Sequence, residues 1–144
     1  AAILAETGTH PALLVVEVTE TVPLTSGGTE RANLAALRAM GVRIAIDDFG
    51  AGHASLHYLR GLDFDIIKID RTYVANFAGN RIDALIVSAI CEIARTLRLE
   101  VVAEGIETEE QRRMLTEAGC TALQGYLLGR PAPMAGAGLA SRAA

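Results

Sequence analysis

Short apolar runs alternate along this chain with segments whose apolar residues recur every three or four positions. Five of the runs end in a residue that can hold a metal or move a proton. Leu13-Leu14-Val15-Val16 leads to Glu17, and Val42-Arg43-Ile44-Ala45-Ile46 leads to Asp47-Asp48. Phe64-Asp65-Ile66-Ile67 leads to Lys68 and Asp70. Leu99-Glu100-Val101-Val102-Ala103 leads to Glu104, with Glu107 close behind, and Cys120-Thr121-Ala122-Leu123 leads to Gln124. Runs this apolar are buried on both faces, which is the mark of strands in a parallel sheet.

The segments between the runs read as helices. Ala1 to Thr7 is the end of one, stopped by Gly8 and Pro11. Ser26-Gly27-Gly28 forms a turn, and Thr29 is placed as the N-cap of a helix with Leu34, Leu37 and Met40 on one face, ended by Gly41. Gly50 and Gly52 make a tight turn, and a short helix runs to Gly61. Asn80 caps the strongest helical pattern, with Ile82, Leu85, Ile86, Ala89, Ile90, Ile93 and Leu97 as one stripe against the sheet. Thr108 and Gln111 form a capping box for a helix ending at Gly119. The spacing predicts an α/β fold: a parallel (β/α) barrel of TIM type, partial, with about five strands and four to five helices. A closed barrel needs eight strands and typically about 250 residues, so the N-terminal strands are missing here. Residues 1–133 form the C-terminal portion of the barrel, and the Ala/Gly-rich tail 134–144 is expected to be disordered.

With 144 residues, 51% hydrophobic and 21% charged, the composition is that of a folded domain. The net charge is −4 and no Lys/Arg cluster is present, which argues against a nucleic-acid polymer or a membrane surface as partner. The longest mostly apolar stretch, Ile82 to Leu97, contains Asp83, Glu92 and Arg95, and so is not a membrane span. The N-terminus has no signal-peptide pattern, and a cytoplasmic setting is expected. Cys91 and Cys120 read as buried, reduced thiols without zinc-ligand spacing.

Side chains at the C-terminal ends of barrel strands converge on one mouth. The adjacent carboxylates Asp47 and Asp48 repel each other unless a cation sits between them. Glu17 and Glu104 complete an oxygen-rich set that suits Mg²⁺, Mn²⁺ or Ca²⁺. Two ions about 3.5–4 Å apart are a known arrangement for phosphodiester hydrolysis. Lys68 adds positive charge or orients a water. Taken singly, each acid reads as a solvated residue or a cap for the next helix. Lys68 with Asp70 reads as an ordinary ion pair, and Gln124 as a partner for a backbone group. The joint pattern over five strand ends is what favours a site. His10, His53 and His57 read as surface or packing residues.

The run Ile46-Asp47-Asp48-Phe49-Gly50-Ala51-Gly52 resembles the DDFG-x-G signature of EAL domains, the cyclic di-GMP phosphodiesterases. Glu17-Val18-Thr19-Glu20 is similar to the family's E-[IL]-T-E, Lys68-Ile69-Asp70 to its K-I-D, and Ala103-Glu104-Gly105-Ile106-Glu107-Thr108 to its A-E-G-V-E-T. Gln124-Gly125-Tyr126 followed by Arg130-Pro131 resembles its QGY…P ending, and all these motifs stand in the family's order. The resemblance implies metal-dependent hydrolysis of cyclic di-GMP to linear pGpG, with Mg²⁺ or Mn²⁺ as cofactor and Ca²⁺ inhibitory. By it, Glu17, Asp47, Asp48 and Glu104 are metal ligands, with Asp47 bridging. Glu104 and Lys68 are catalytic, and Asp70, Glu107 and Gln124 support the site or bind substrate. It also implies a GGDEF or sensory domain in the parent protein, and a homodimer as an option.

The Glu-Ala-Leu motif that names the family is absent from this stretch, as is the strand bearing the family's metal-binding Asn; Asn33 falls in a helical pattern. The isolated chain is therefore expected to be inactive, with two open sheet edges. The competing readings are a non-catalytic EAL-like module that binds cyclic di-GMP or a protein, and an enolase-like metal enzyme, in which Lys and carboxylates also line a barrel mouth.

Overall fold

Parallel pairing with an apolar outer face decides where each side chain of this sheet points. The computed structural model describes residues 2–19, 28–50 and 63–133. Helix α1 (Ala2–Thr7) and a 3₁₀ turn (Pro11–Leu13) precede strand β1 (Val15–Thr19). Helix α2 (Thr29–Ala39) leads to β2 (Arg43–Phe49). Strand β3 (Ile66–Ile69) runs into the short helix α3 (Arg71–Asn76), followed by α4 (Arg81–Leu97). Strand β4 (Glu100–Glu104), α5 (Glu109–Ala118) and β5 (Ala122–Gln124) complete the chain of elements. All four strand pairs are parallel, and the sheet order is β1-β2-β3-β4-β5. The five strands and the β-α alternation agree with the sequence pattern. Among the described residues, no helix is long and apolar enough to cross a membrane.

Side chains alternate between the two faces of a strand. In register, Glu17 stands beside Ala45, Ala45 beside Ile66, Lys68 beside Val102, and Glu104 beside Gln124. One face therefore carries Glu17, Asp47, Lys68, Glu104 and Gln124. The other carries Val18, Ile44, Ile46, Ile67, Ile69, Val101 and Ala103, which belong to the buried core with Val74, Val87, Ile90, Ala94 and Leu115 from the helices. All four residues of β3 are buried, as befits the central strand.

Several local expectations need correction. Leu13 ends the 3₁₀ turn rather than starting β1, and the strand continues past Glu17 to Thr19. Helix α2 is capped by Gly28 and takes Thr29 as its first residue; Gly28 makes no side-chain cap. Helix α3 was not legible, since Lys68-Ile69-Asp70 reads as the end of a strand and no long periodicity follows it. The stripe on α4 is rotated from the expected one. Ile82 and Leu85 are 67% and 70% exposed and Leu97 is also exposed, while Val87, Ile90, Cys91 and Ala94 form the buried face. This helix is apolar around most of its circumference, so periodicity alone cannot centre the face. Asn80 caps α4 as expected, accepting a 2.9 Å hydrogen bond from the Ile82 N–H. The Thr108–Gln111 capping box and the left-handed Gly119 also appear as expected. The turn from Ser26 to Gly27, the Gly52–Gly61 helix, His53, His57 and the tail 134–144 lie outside the described residues.

Candidate metal and catalytic site

Plain alternation would send Asp47 and Asp48 to opposite faces of the sheet. A β-bulge prevents this. Ile46 pairs with Ile67, but Phe49 pairs with Ile69, so Asp47 and Asp48 together stand against Lys68. Asp48 takes the left-handed conformation, with φ of 55°, and Phe49 returns to the apolar face, where it is buried. Asp is one of the few L-residues that visits this region at modest cost. The bulge converts two neighbours in sequence into two carboxylates on one site.

One oxygen from each of Asp47, Asp48 and Glu104 lies within 4.8 Å of the others. Lys68, 6% exposed, lies among the acids. Its Nζ is 2.7 Å from Glu17 Oε2, 3.0 Å from Asp47 Oδ1 and 2.7 Å from Glu104 Oε1. Burial pulls the lysine pKa down, but the close contacts with Glu104, Glu17 and Asp47 outweigh it, and the net shift is upward. The ammonium is firmly charged. Burial, then the negative charges of Asp47 and Asp70, pushes the Asp48 carboxyl up. Burial acts on Asp70 in the same direction, but the Thr72 hydroxyl and amide reverse it, so Asp70 titrates below the usual range. Asp70 is also the N-cap of α3, accepting from the Thr72 N–H at 2.8 Å and from the Thr72 hydroxyl.

These residues fit a divalent ion on grounds of their own. Asp47 Oδ1 is buried, and among the described residues no donor reaches it with good hydrogen-bond geometry, although Lys68 is close. A buried carboxylate oxygen with spare acceptor capacity, beside two further carboxylates, is what a hard cation requires.

Two of the expected site residues stay outside the cluster. Glu107 is exposed, and its backbone N–H donates to Gln111 Oε1 at 2.8 Å as part of the cap of α5. Gln124 sits on the site face beside Glu104, but is exposed; its carbonyl accepts from the Ile106 N–H at 3.0 Å. Sequence reasoning missed the bracing supplied by α3. The Tyr73 hydroxyl donates to the Gly50 carbonyl just past the bulge. Gly105, with φ of 76°, passes so close to Arg71 that a Cβ there would lie 2.8 Å from the Arg71 Cβ. The loops after β2 and β4 are thus tied to one short helix. The signal available was the Arg71-Thr72-Tyr73 run directly after an Asp able to cap it. At the opposite end of the strands, a cleft of about 540 Å³ is lined by Arg38, Arg43, Asp65 and Glu100. Its charges are paired, Arg38 with Asp65 at 2.9 Å and Arg43 with Glu100 at 2.7 Å. Polar bracing at that face of a barrel serves stability.

A family model described as the EAL domain matches residues 1–131. The chain belongs to the EAL domain family. It is 50% identical over 124 residues to the bifunctional diguanylate cyclase/cyclic di-GMP phosphodiesterase MucR of Pseudomonas aeruginosa, covering 86% of this chain and 18% of MucR. The solved MucR phosphodiesterase–c-di-GMP complex superposes with a TM-score of 0.84 at 46% identity, over 93% of this chain and 54% of that one. A manganese/cyclic di-GMP complex of Klebsiella pneumoniae BlrP1 gives 0.83 at 38% identity, over 89% and 33% of the two chains. The EAL stretch described here therefore spans only part of these relatives. The matches agree with the partial TIM-type barrel read from the strand pattern.

Proposed function

We propose that this stretch supplies the C-terminal half of the active site of a cyclic di-GMP phosphodiesterase in bacterial second-messenger signalling. The reaction is hydrolysis of one phosphodiester bond to give linear pGpG. The reading is carried by the Asp47–Asp48–Glu104 trio around the buried Asp47 Oδ1, which no donor among the described residues meets with good hydrogen-bond geometry. Likeness to cyclic di-GMP complexes supports the substrate.

In this proposal Asp47, Asp48, Glu104 and Glu17 would hold Mg²⁺ or Mn²⁺, and Ca²⁺ would inhibit. The ions, when bound, polarise the phosphate and lower the pKa of a bound water. Glu104 takes the proton of the attacking water. Lys68 places its ammonium against the negative charge that develops on the phosphoryl oxygens. Asp70 holds the start of α3, and through it the loops of Asp48 and Glu104. Gln124 and Glu107 border the mouth. The activity belongs to the intact domain, because this stretch lacks the Glu-Ala-Leu strand that the family resemblance implies as a ligand source. A cytoplasmic setting, an attached GGDEF or sensory domain and a homodimer are part of the same proposal.

The test is chromatography of cyclic di-GMP incubated with Mn²⁺ and the intact domain. Appearance of pGpG is expected. Retained, unhydrolysed nucleotide would favour a binding module instead.

A further inference from the structure

Lys68 is the sole lysine of the chain; every other long basic side chain is arginine. Its ammonium has three donors. They face three carboxylates from three other strands, at 2.7, 3.0 and 2.7 Å. Two of those acids, Asp47 and Glu104, also belong to the trio whose oxygens gather within 4.8 Å. A cation entering there must share carboxylates that the ammonium already contacts. Two cations held by the same carboxylates repel each other.

We propose that Lys68 is the resident counter-ion of the unloaded site, and that it competes with the divalent ion for Glu17, Asp47 and Glu104. The inference rests on the metal-site reading above. Without a cation, three carboxylates facing one another would drive the strand ends apart. The ammonium holds them in place, and the same contacts weaken metal binding. Lysine suits this role better than arginine. Its charge is compact and its stem flexible, so it can withdraw when the ion arrives, whereas a guanidinium forms a rigid fork.

The experiment compares the intact protein with its Lys68→Met and Lys68→Met/Glu104→Gln variants. Thermal unfolding is followed without metal, and Mn²⁺ binding by calorimetry. Lys68→Met should lower the metal-free Tm, tighten Mn²⁺ binding roughly tenfold or more, and gain more in Tm on Mn²⁺ saturation than the parent. Adding Glu104→Gln should recover part of the metal-free Tm, which a loss of packing alone would not allow. Mn²⁺ affinity that stays level or falls in Lys68→Met, while the parent binds, overturns the competition. Absence of Mn²⁺ binding in the parent overturns the metal-site reading itself, and the competition with it. Should Lys68→Met fail to fold, the parent is labelled with ¹⁵N at lysine, and the Lys68 side-chain resonance is assigned as the one missing from Lys68→Arg. That resonance should shift on Mg²⁺ saturation; one that stays fixed while Mg²⁺ binds overturns the proposal.

Discussion

The two faces of one five-stranded sheet follow opposite rules. On the helix side, Ile44, Ile46, Ile67, Ile69 and Val101 are almost fully buried in one apolar cluster with Val87, Ile90, Ala94 and Leu115 of the helices, without a charged group among them. On the other side, at the C-terminal strand ends, Glu17, Asp47, Lys68 and Glu104 place four charges within contact distance. The apolar face is tolerant of sequence detail as long as volume is kept. The charged face is not, because each group's state depends on its neighbours. Stability is concentrated on the first and chemistry on the second, and the Asp47–Asp48 bulge joins them by sending Phe49 to one and both acids to the other.

Substitutions separate the two faces, and the largest effect belongs to the charged one. Asp47→Asn removes the whole negative charge of a carboxylate proposed to hold the metal, and turnover of cyclic di-GMP by the intact domain should drop by about a thousandfold. Calorimetry should show the loss of at least one Mn²⁺; unchanged Mn²⁺ affinity would break the assignment. Ile67→Ala, in the centre of the apolar face, should cost about 2–5 kcal/mol in urea unfolding, while the folded fraction keeps its Mn²⁺ affinity. Gly125→Ala should cost a comparable amount, about 2–4 kcal/mol, because its Cβ would lie 2.2 Å from the Ile106 backbone N and O. Asp48→Ala should lose roughly 1–2 kcal/mol from its left-handed backbone, and Asp48→Gly should recover that stability but not Mn²⁺ binding.

The smallest effect is a pH window. Lys68 in the folded chain holds its proton above the ordinary 10.5. Its stabilising contribution is therefore complete below pH 10.5 and declines as the pH rises beyond it. The stability difference between the parent and Lys68→Met, measured without metal, should be flat from pH 7 to 10 and shrink above. A difference that grows with alkalinity would mean that the ammonium is not held by the three acids.

How far the sequence could be read differs between the faces. The parallel sheet was legible because runs such as Val101-Val102-Ala103 are apolar without alternation. The caps at Asn80 and Thr108 were legible because each requires only a few neighbouring residues. The face of α4 was not, since Ile82 and Leu85 match the periodicity as well as Val87 and Ile90 do; only the position of β4 and α3 selects between them. At the site, Glu17, Asp47, Asp48, Lys68 and Glu104 were picked out by their place after apolar runs. Glu107 was picked out on the same ground, yet its carboxylate lies at an exposed helix start. Tyr73 gave no chemical signal, because its role depends on a carbonyl more than twenty residues away.

The order of elements, the acids at the strand ends and the family motifs were set by the sequence alone, because each depends on local spacing. The meeting of Glu17, Asp47, Glu104 and Lys68 was decided by strand register, and the turn of Asp48 toward them by a one-residue bulge. Both are properties of pairing between distant segments. No single stretch of chain carries them, because the free energy that selects a register comes from burying the opposite face against the helices.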